Sequence, residues 1–205
     1  MKTSLSAVWD RLRNTPGSRW MWIGIGAGIL FIGLAGGAWA WWTQSPPDAR
    51  WQAVDRMIER AHGPVPTITT DELAERLQRP DSERPVLLDA RSPEEYAVSH
   101  IAGAHLYDPN NPDTALLDTL SSDQPIAVYC SVGHRSADVV ARLQERGFTR
   151  AVNVRGSIFM WANEGREVVR NGEAVAAVHP YDTMWGRLLD EPLRADAPAP
   201  YSSGK

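Results

Sequence analysis

An α/β fold with a parallel sheet covered by helices on both faces is the architecture that this sequence predicts. Short apolar runs at 85–89, 126–129 and 151–154 lack polar alternation, which is typical of strands buried on both faces. Segments with helical patterning separate these runs, and strands that alternate with helices indicate a parallel sheet. The only cysteine of the chain, Cys130, directly follows the run at 126–129. Since ligands bind at the carboxyl ends of strands in such sheets, we expect the functional site there.

Composition argues against several kinds of partner. The 205 residues include 21 basic and 25 acidic side chains, a net charge of −4, which argues against nucleic-acid binding. The single cysteine excludes both an internal disulfide and a cysteine-rich zinc site. The five histidines show no ligand spacing, so we predict that the chain holds no metal ion.

Residues 20–42 are predicted to form a transmembrane helix that acts as a signal anchor. This stretch is uncharged and almost wholly apolar, and about 20 such residues suffice to span a bilayer. Tryptophans lie at both of its ends, as expected of the aromatic belts of a membrane helix. A cleaved signal peptide is the alternative, because Ala38-Trp39-Ala40 fits a cleavage site. The apolar run, however, is longer than that of such signals.

The distribution of basic residues predicts a single-pass protein of the inner membrane whose soluble domain faces the periplasm. Segment 1–19 carries four basic residues and segment 43–66 carries three, and the more basic flank stays in the cytoplasm. Two pairs of glycines within the span have GxxxG spacing, which leaves open a dimer formed by close packing of two spans. These pairs are Gly24 with Gly28 and Gly33 with Gly37.

Four segments follow the predicted span. Residues 43–66 are predicted to be a linker and a juxtamembrane helix, because apolar residues recur there on one helical face. That face comprises Trp51, Val54, Met57, Ile58 and Ala61. The main domain covers 67–170, and a C-terminal extension with weaker patterning covers 171–194. The small, polar composition of 195–205 predicts a disordered tail.

Start and stop signals place the elements of the main domain. Two helix starts have capping-box spacing, Thr69 with Glu72 and Ser92 with Glu95, and Gly147 ends a later helix. The predicted order is a helix from 70, a strand at 85–89, a helix at 93–100, a strand at 104–107, a helix at 114–120, a strand at 126–129, a helix from 136, a strand at 151–154 and a helix at 157–163.

Cys130 is predicted to be ionised. A strand, a short loop with Gly133 and a helix from Ser136 place its sulfur beside a helix N-terminus, where backbone N–H groups and the helix dipole attract an anion. Arg135 adds a full positive charge. These features favour the thiolate, which is the nucleophilic form of cysteine. The alternative is an inert packed side chain, since free cysteine is among the most buried residue types.

Three stretches of the main domain resemble the rhodanese-like sulfurtransferases. The first is Leu88-Asp89-Ala90-Arg91-Ser92-Pro93-Glu94-Glu95-Tyr96 together with 100–104. The second, Cys130-Ser131-Val132-Gly133-His134-Arg135-Ser136, looks like the active-site loop of the family. The third, Gly156-Ser157-Ile158 with 161–165, resembles its closing segment. The resemblance covers about 67–169 and implies a rhodanese-like three-layer fold.

This resemblance also implies a reaction that needs no cofactor. Cys130 would take the sulfane sulfur of a small anionic donor, thiosulfate or a polysulfide, as a persulfide. It would then pass the sulfur to a thiophilic acceptor, which is cyanide, a thiol or a protein. Arg135 would bind the anionic donor and keep Cys130 ionised. Backbone N–H groups of the loop would hold the persulfide, with Ser131, Val132, Gly133, His134 and Ser136 as the substrate-binding residues.

Further residues of the family's signature are interpreted as structural support rather than as catalytic groups. Aspartate can cap a turn, arginine can pair with a nearby carboxylate, and glycine allows a tight turn. The residues are Asp89, Arg91, Glu95, His100 and Gly103.

Two alternative functions compete with the sulfurtransferase. Phosphatases that resemble this family have five residues between cysteine and arginine, whereas four separate Cys130 from Arg135, and the smaller loop suits a single sulfur atom better. The other alternative is a tethered, non-catalytic module that binds a partner or relays sulfur only to it. The intact Cys130 argues against an inactive scaffold, but the sequence leaves the physiological donor and acceptor open.

Overall fold

A computed structural model describes Gly37, Ala40 and residues 44–196 of the chain. The chain divides into one unit over 1–46 and a second over 47–205, and the second unit contains the fold described below. The predicted transmembrane helix at 20–42 lies outside the described residues except for Gly37 and Ala40, as do segment 1–19 and most of the predicted tail. Within the described ranges, no helix combines the length and the apolar character that crossing a membrane requires.

The centre of the fold is a sheet of five parallel strands, which confirms the predicted architecture. The strands are β1 (Thr67–Ile68), β2 (Val86–Asp89), β3 (His105–Leu106), β4 (Ile126–Tyr129) and β5 (Ala151–Val154). Their order across the sheet is β1-β5-β4-β2-β3, so β4 is paired on both sides. The cysteine therefore follows the middle strand of the sheet, in agreement with the expected position at a carboxyl end.

Within the described residues, six helices connect or flank these strands. They are α1 (Pro47–His62), α2 (Thr70–Leu77), α3 (Pro93–Val98), α4 (Ala115–Asp118), α5 (His134–Glu145) and α6 (Ser157–Asn163). Both predicted capping boxes are confirmed. The Thr69 and Ser92 hydroxyls accept a hydrogen bond from the backbone N–H of the third helical residue, which is a glutamate in both helices. The backbone N–H of Thr69 and of Ser92 donates to the carboxylate of that glutamate. Helix α5 begins at His134, two residues before the predicted Ser136, and its N-cap is Gly133, which offers no side-chain cap.

Helices cover both faces of the sheet and produce three layers. Ile126, Val128 and Cys130 share one apolar cluster with residues of α5, and α5 in turn packs on α1. Ala127 and Tyr129 alternate to the opposite face. There the Tyr129 hydroxyl accepts a hydrogen bond of 3.0 Å from the backbone N–H of Ile101. Helices α2 and α6 pack together as well.

The chain continues past the last helix into a hairpin and an extended segment. Strands β6 (Val168–Arg170) and β7 (Glu173–Val175) form the antiparallel hairpin. We call residues 176–196 the C-terminal arm; it contains two short 3-10 helices, Trp185–Leu188 and Glu191–Leu193. The Asn163 side chain fixes the arm to α6, donating to the Leu188 carbonyl at 2.8 Å and accepting from the Asp190 N–H at 2.9 Å.

Candidate active site

The active-site loop, residues 130–135, joins β4 to α5. The Cys130 sulfur accepts a hydrogen bond from the backbone N–H of Gly133, with a donor–acceptor distance of 3.2 Å. Gly133 adopts a φ of 110°, a conformation that side chains disfavour, and a Cβ there would lie 3.3 Å from Cδ1 of Ile58 in α1. The positive φ favours glycine in the turn that aims this N–H, and the missing side chain lets Ile58 pack closely on the loop.

The first turn of α6 holds the loop from behind. The backbone N–H of Cys130 donates to the Ser157 hydroxyl at 3.1 Å. In return, the carbonyls of Cys130 and Ser131 accept hydrogen bonds from the N–H groups of Ile158 and Phe159, at 3.2 and 3.1 Å. These loop carbonyls satisfy helical N–H groups that otherwise have no partner within the helix. Both loop carbonyls are therefore engaged by α6.

The environment of Cys130 favours its thiolate. Burial raises the pKa of the thiol, since only 1% of the residue is exposed. The charge of Arg135, the hydroxyl and N–H of Ser136, and the N–H of Gly133 together outweigh burial and hold the pKa of Cys130 below its ordinary value. The buried Ser136 hydroxyl makes no hydrogen bond of good geometry to another described group, so it acts on the thiol through proximity.

Arg135 is clamped by Glu95 of α3. Its two terminal nitrogens donate to the two Glu95 oxygens at 2.6 and 2.8 Å, a bidentate pair. Ser131 closes the cluster, because its hydroxyl donates to Glu95 at 2.9 Å and accepts from Arg135 at 2.9 Å. Burial raises the pKa of Glu95, but the hydrogen bonds and charge of Arg135 lower it to about 2 overall. The carboxylate is therefore ionised at neutral pH, and it fixes the orientation of the arginine.

Asp89 and Arg91 form a second, fully buried pair. Arg91 donates from Nε and Nη2 to the two Asp89 oxygens at 2.8 and 2.6 Å, and Nη2 also donates to the Ser99 carbonyl. The Tyr129 hydroxyl donates to Asp89 at 2.7 Å. Burial opposes the charge of Arg91, yet Asp89 raises the pKa of the guanidinium overall. The pair links the end of β2 to the end of α3 without lining the cavity beside Cys130.

His100 and Gly103 also lie away from the cysteine. The His100 ring stacks on Tyr96, with centroids 3.9 Å apart, and its Nδ1 lies 3.1 Å from the Tyr96 carbonyl oxygen. Gly103 takes a φ of 78° in the turn before β3. Of the predicted supporting residues, the structure thus brings Glu95 alone into hydrogen-bond contact with Arg135, across 40 positions of sequence.

A cavity of about 250 Å³ opens beside the cysteine. Its lining residues are Met57, Cys130, Ser131, Val132, His134, Arg135, Tyr181 and Trp185. His134 stands at the rim, where its ring meets the His62 ring edge-on with centroids 4.7 Å apart. Burial together with His62 lowers the pKa of His134. The predicted residues Gly133 and Ser136 lie behind this lining, against the sulfur rather than in the cavity.

Met57, Tyr181 and Trp185 were not predicted as site residues. Met57 belongs to the apolar face of α1, which the helical spacing revealed without indicating what it would cover. Tyr181 and Trp185 come from the C-terminal arm, where no periodic pattern indicates an element. The Tyr181 ring lies beneath the Arg135 guanidinium, with 4.9 Å between the guanidinium carbon and the ring centroid. Tyr181 and Trp185 thus approach the active-site loop from more than 40 residues away.

No group of three or more His, Cys, Asp or Glu side chains is arranged to hold a metal ion in the part of the chain that the structure describes. The cavity holds one nucleophilic candidate with a lowered pKa, the Cys130 thiol, beside the Gly133 N–H and the Arg135 guanidinium. Such a site can perform nucleophilic covalent chemistry on an electrophilic atom small enough to reach the base of the cavity.

Comparison with known proteins identifies the family. Residues 69–164 match the family model of the rhodanese-like domain. A sulfurtransferase of Allochromatium vinosum is 33% identical over 105 residues, which cover 51% of this chain and 95% of that protein. The thiosulfate sulfurtransferase GlpE of Stutzerimonas stutzeri is 32% identical over 77 residues, covering 37% of this chain and 69% of that protein.

Among solved structures, a rhodanese-like domain protein from Staphylococcus aureus is 33% identical, with a TM-score of 0.40. The match covers 52% of this chain and 94% of that one. Helix α1, β1 and the C-terminal arm fall outside the residues that match the family model. On the extent and identity of the sequence matches, this chain belongs to the rhodanese-like family of sulfurtransferases.

Proposed function

We propose that this chain is a membrane-anchored sulfurtransferase that moves a sulfane sulfur from thiosulfate or a polysulfide to a thiophilic acceptor through a persulfide on Cys130. The observation that carries the proposal is the setting of the Cys130 sulfur. It is buried at the end of the central strand, accepts the Gly133 N–H and has a lowered pKa. Such a sulfur is a thiolate nucleophile in a site that admits little water.

In the first half-reaction, the Cys130 thiolate attacks the outer sulfur of thiosulfate. A new sulfur–sulfur bond forms to Cys130, the original sulfur–sulfur bond of the donor breaks, and its electron pair leaves with sulfite. The product is a persulfide anion on Cys130, and no external oxidant or reductant takes part. Arg135 attracts the anionic donor, while the Gly133 N–H donates to the negatively charged sulfur of Cys130.

In the second half-reaction, an acceptor attacks the terminal sulfur of the persulfide. Cyanide would leave as thiocyanate and a thiolate would leave as a hydropersulfide anion, and in both cases the electron pair of the broken bond returns to Cys130. The thiolate is then restored. Two half-reactions through one covalent intermediate give ping-pong kinetics.

The proposed membrane attachment rests on residues 20–42, which have the length and composition of a membrane span. The basic residues before this segment support a periplasmic soluble domain. The proposal predicts that the chain stays in the membrane pellet after a carbonate wash, and that added protease digests the domain in spheroplasts. Release by carbonate would remove the anchor from the proposal, and protection from protease would reverse the orientation.

The persulfide step is tested by intact mass. The full chain in mild detergent is incubated with thiosulfate or polysulfide, desalted and weighed beside Cys130→Ser. A gain of about 32 Da, one sulfur atom, in the wild type only is the result expected of covalent catalysis at this residue. Loss of the added mass on treatment with cyanide, with release of thiocyanate, would complete the cycle. No gain with either donor would overturn the enzyme proposal and favour the tethered binding module.

A further inference from the structure

We propose that α1 and the C-terminal arm form a specificity pocket over Cys130 that selects sulfane donors carrying an apolar organic group. Aryl and alkyl thiosulfonates are the simplest such donors. This inference rests on the proposed function and names the substrate class of the same site. It concerns residues that the family match does not include, since Met57, Tyr181 and Trp185 all lie outside 69–164.

The chemistry of the cavity walls is mainly apolar. Met57 comes from α1, Val132 from the active-site loop, and Tyr181 and Trp185 from the C-terminal arm. With about 250 Å³ of space, the cavity exceeds the ~150 Å³ that suffices for benzene in an apolar protein cavity. Thiosulfate has no apolar group to place against these walls, whereas a thiosulfonate would cover them with its organic group.

Several contacts hold α1 in place as a wall. Asp55 accepts hydrogen bonds from Nε and Nη2 of Arg155, which follows β5, at 2.9 and 2.6 Å. Ile58 packs closely on the active-site loop, since its Cδ1 would lie 3.3 Å from a Cβ placed on Gly133. Arg50 donates from Nη1 to the Arg187 carbonyl at 3.0 Å, which joins α1 to the C-terminal arm. The two segments therefore form one connected wall.

Tyr181 has a strained backbone conformation. Its φ of 65° lies in the left-handed region, and its N–H donates to Nδ1 of the buried His179 at 3.0 Å. Strained backbone of this kind persists only where the surroundings enforce it, and it concentrates at functional sites. Here it places the ring against Arg135, where cation–π attraction contributes, while 45% of the residue stays exposed.

The charge balance of the cavity disfavours a donor of high charge. Arg135 lines it, but its charge is already paired with the ionised Glu95. Burial and the neighbouring His62 lower the pKa of His134, which disfavours a second positive charge at the rim. Thiosulfate brings two negative charges to a buried site beside a thiolate, whereas a thiosulfonate brings one. Because desolvating each unpaired charge is costly, the singly charged organic donor fits better.

The step balances in the same way as with thiosulfate. The Cys130 thiolate attacks the outer sulfur of R–SO₂–S⁻, a sulfur–sulfur bond forms to Cys130, and the donor's sulfur–sulfur bond breaks. The electron pair leaves with the sulfinate R–SO₂⁻. One negative charge arrives with the donor and one departs with the sulfinate.

The test compares benzenethiosulfonate, methanethiosulfonate and thiosulfate as donors to the full chain in mild detergent. Persulfide formation is followed by mass, and kcat/KM by thiocyanate release in the presence of cyanide. We expect kcat/KM to rise from thiosulfate through the methyl to the phenyl donor, with about a tenfold or larger preference for phenyl over thiosulfate, the scale that apolar pocket contacts supply.

Single substitutions test whether the apolar cavity walls cause the preference for the phenyl donor. Met57→Ala and Trp185→Ala should each reduce the phenyl-to-thiosulfate ratio of kcat/KM about tenfold. Met57→Leu keeps an apolar wall and should preserve the ratio, which guards against a mere folding defect. Met184→Ala is the matched control, because Met184 lies in the same arm, is 50% exposed and does not line the cavity. Its ratio should equal that of the wild type.

The outcomes separate the two proposals. If thiosulfate loads Cys130 but the organic donors gain no preference, or if the wall variants leave the ratio unchanged, the specificity pocket is refuted and the sulfurtransferase stands. If no donor loads Cys130, the proposed function itself is refuted.

Discussion

Two arginine–carboxylate pairs in this molecule have similar hydrogen bonds but differ in whether a ligand can contact the arginine. Asp89–Arg91 is wholly buried, with 0% exposure of both side chains. Glu95–Arg135 is bidentate as well, but the arginine side chain is 28% exposed at the cavity beside Cys130. The first pair has no access to a ligand, which fits the supporting role expected of it. The second uses the same chemistry to aim a charge at a reacting sulfur, so access rather than pairing distinguishes a functional arginine.

Breaking the inner pair should have the largest effect. Arg91→Met leaves the Asp89 carboxylate buried without its partner, and breaking a buried pair in this way destabilises by about 3–5 kcal/mol. Urea unfolding followed by tryptophan fluorescence measures the loss. The double variant Asp89→Asn/Arg91→Met removes both charges and should recover part of the stability. Equal losses in the single and double variants would mean that the charge of Asp89 is not the cause.

Acid should act on the outer pair. The pKa of Glu95 is lowered from 4.5 to about 2 in the fold, so the stability it contributes is present above pH 4.5 and is lost as the pH falls toward 2. A shift of this size corresponds to roughly 3 kcal/mol at most. The free energy of unfolding, measured from pH 6 to pH 2.5, should fall less steeply in Glu95→Gln. A parallel decline in both proteins would show that other groups dominate acid unfolding.

Removing the outer arginine should lower the reactivity of Cys130, in addition to the stability that its pair with Glu95 contributes. Arg135→Met takes away a charge that lowers the pKa of Cys130, so the thiolate forms at higher pH. We expect alkylation by iodoacetamide at pH 7 to slow on the order of tenfold. The pH–rate profile should shift upward and reach a similar plateau at high pH. Arg142→Met, a change at an exposed arginine on α5, is the control and should leave the profile in place.

The smallest effect is expected at the pair between α1 and the segment after β5. Asp55 and Arg155 are 34% and 43% exposed, and such pairs contribute about 1 kcal/mol or less. Asp55→Asn should therefore lower the free energy of unfolding by no more than that, with a further decrease in the effect at high salt. A loss as large as that of Arg91→Met would show that exposure does not rank these pairs.

Local sequence signals predicted most of the fold. Both capping boxes, the glycine of the active-site loop and the unbroken apolar run before Cys130 are short-range features, and each appears in the structure where the sequence places it. Strand β1 was missed, since Thr67–Ile68 is too short for any periodicity and exists through its pairing with β5. The order of strands across the sheet likewise depends on contacts between distant residues.

The site was predicted in its centre and missed at its edges. Cys130 and Arg135 follow from one continuous motif, but the contact of Arg135 with Glu95 spans 40 residues and has no local signal. Tyr181 lies beneath Arg135 although its segment carries no periodic pattern. The sequence therefore does not indicate which distant segments cover the motif.

The hydrogen bonds from Ile158 and Phe159 to the loop carbonyls give the catalytic cycle an internal reporter. If the loop swung open to admit sulfur, these two amide protons would lose their acceptors and exchange with solvent more rapidly. A loop that stays closed would keep their exchange slow before and after loading. The protection of two amides in α6, read by hydrogen–deuterium exchange, would thus show whether sulfur enters by motion of the loop or through the cavity alone.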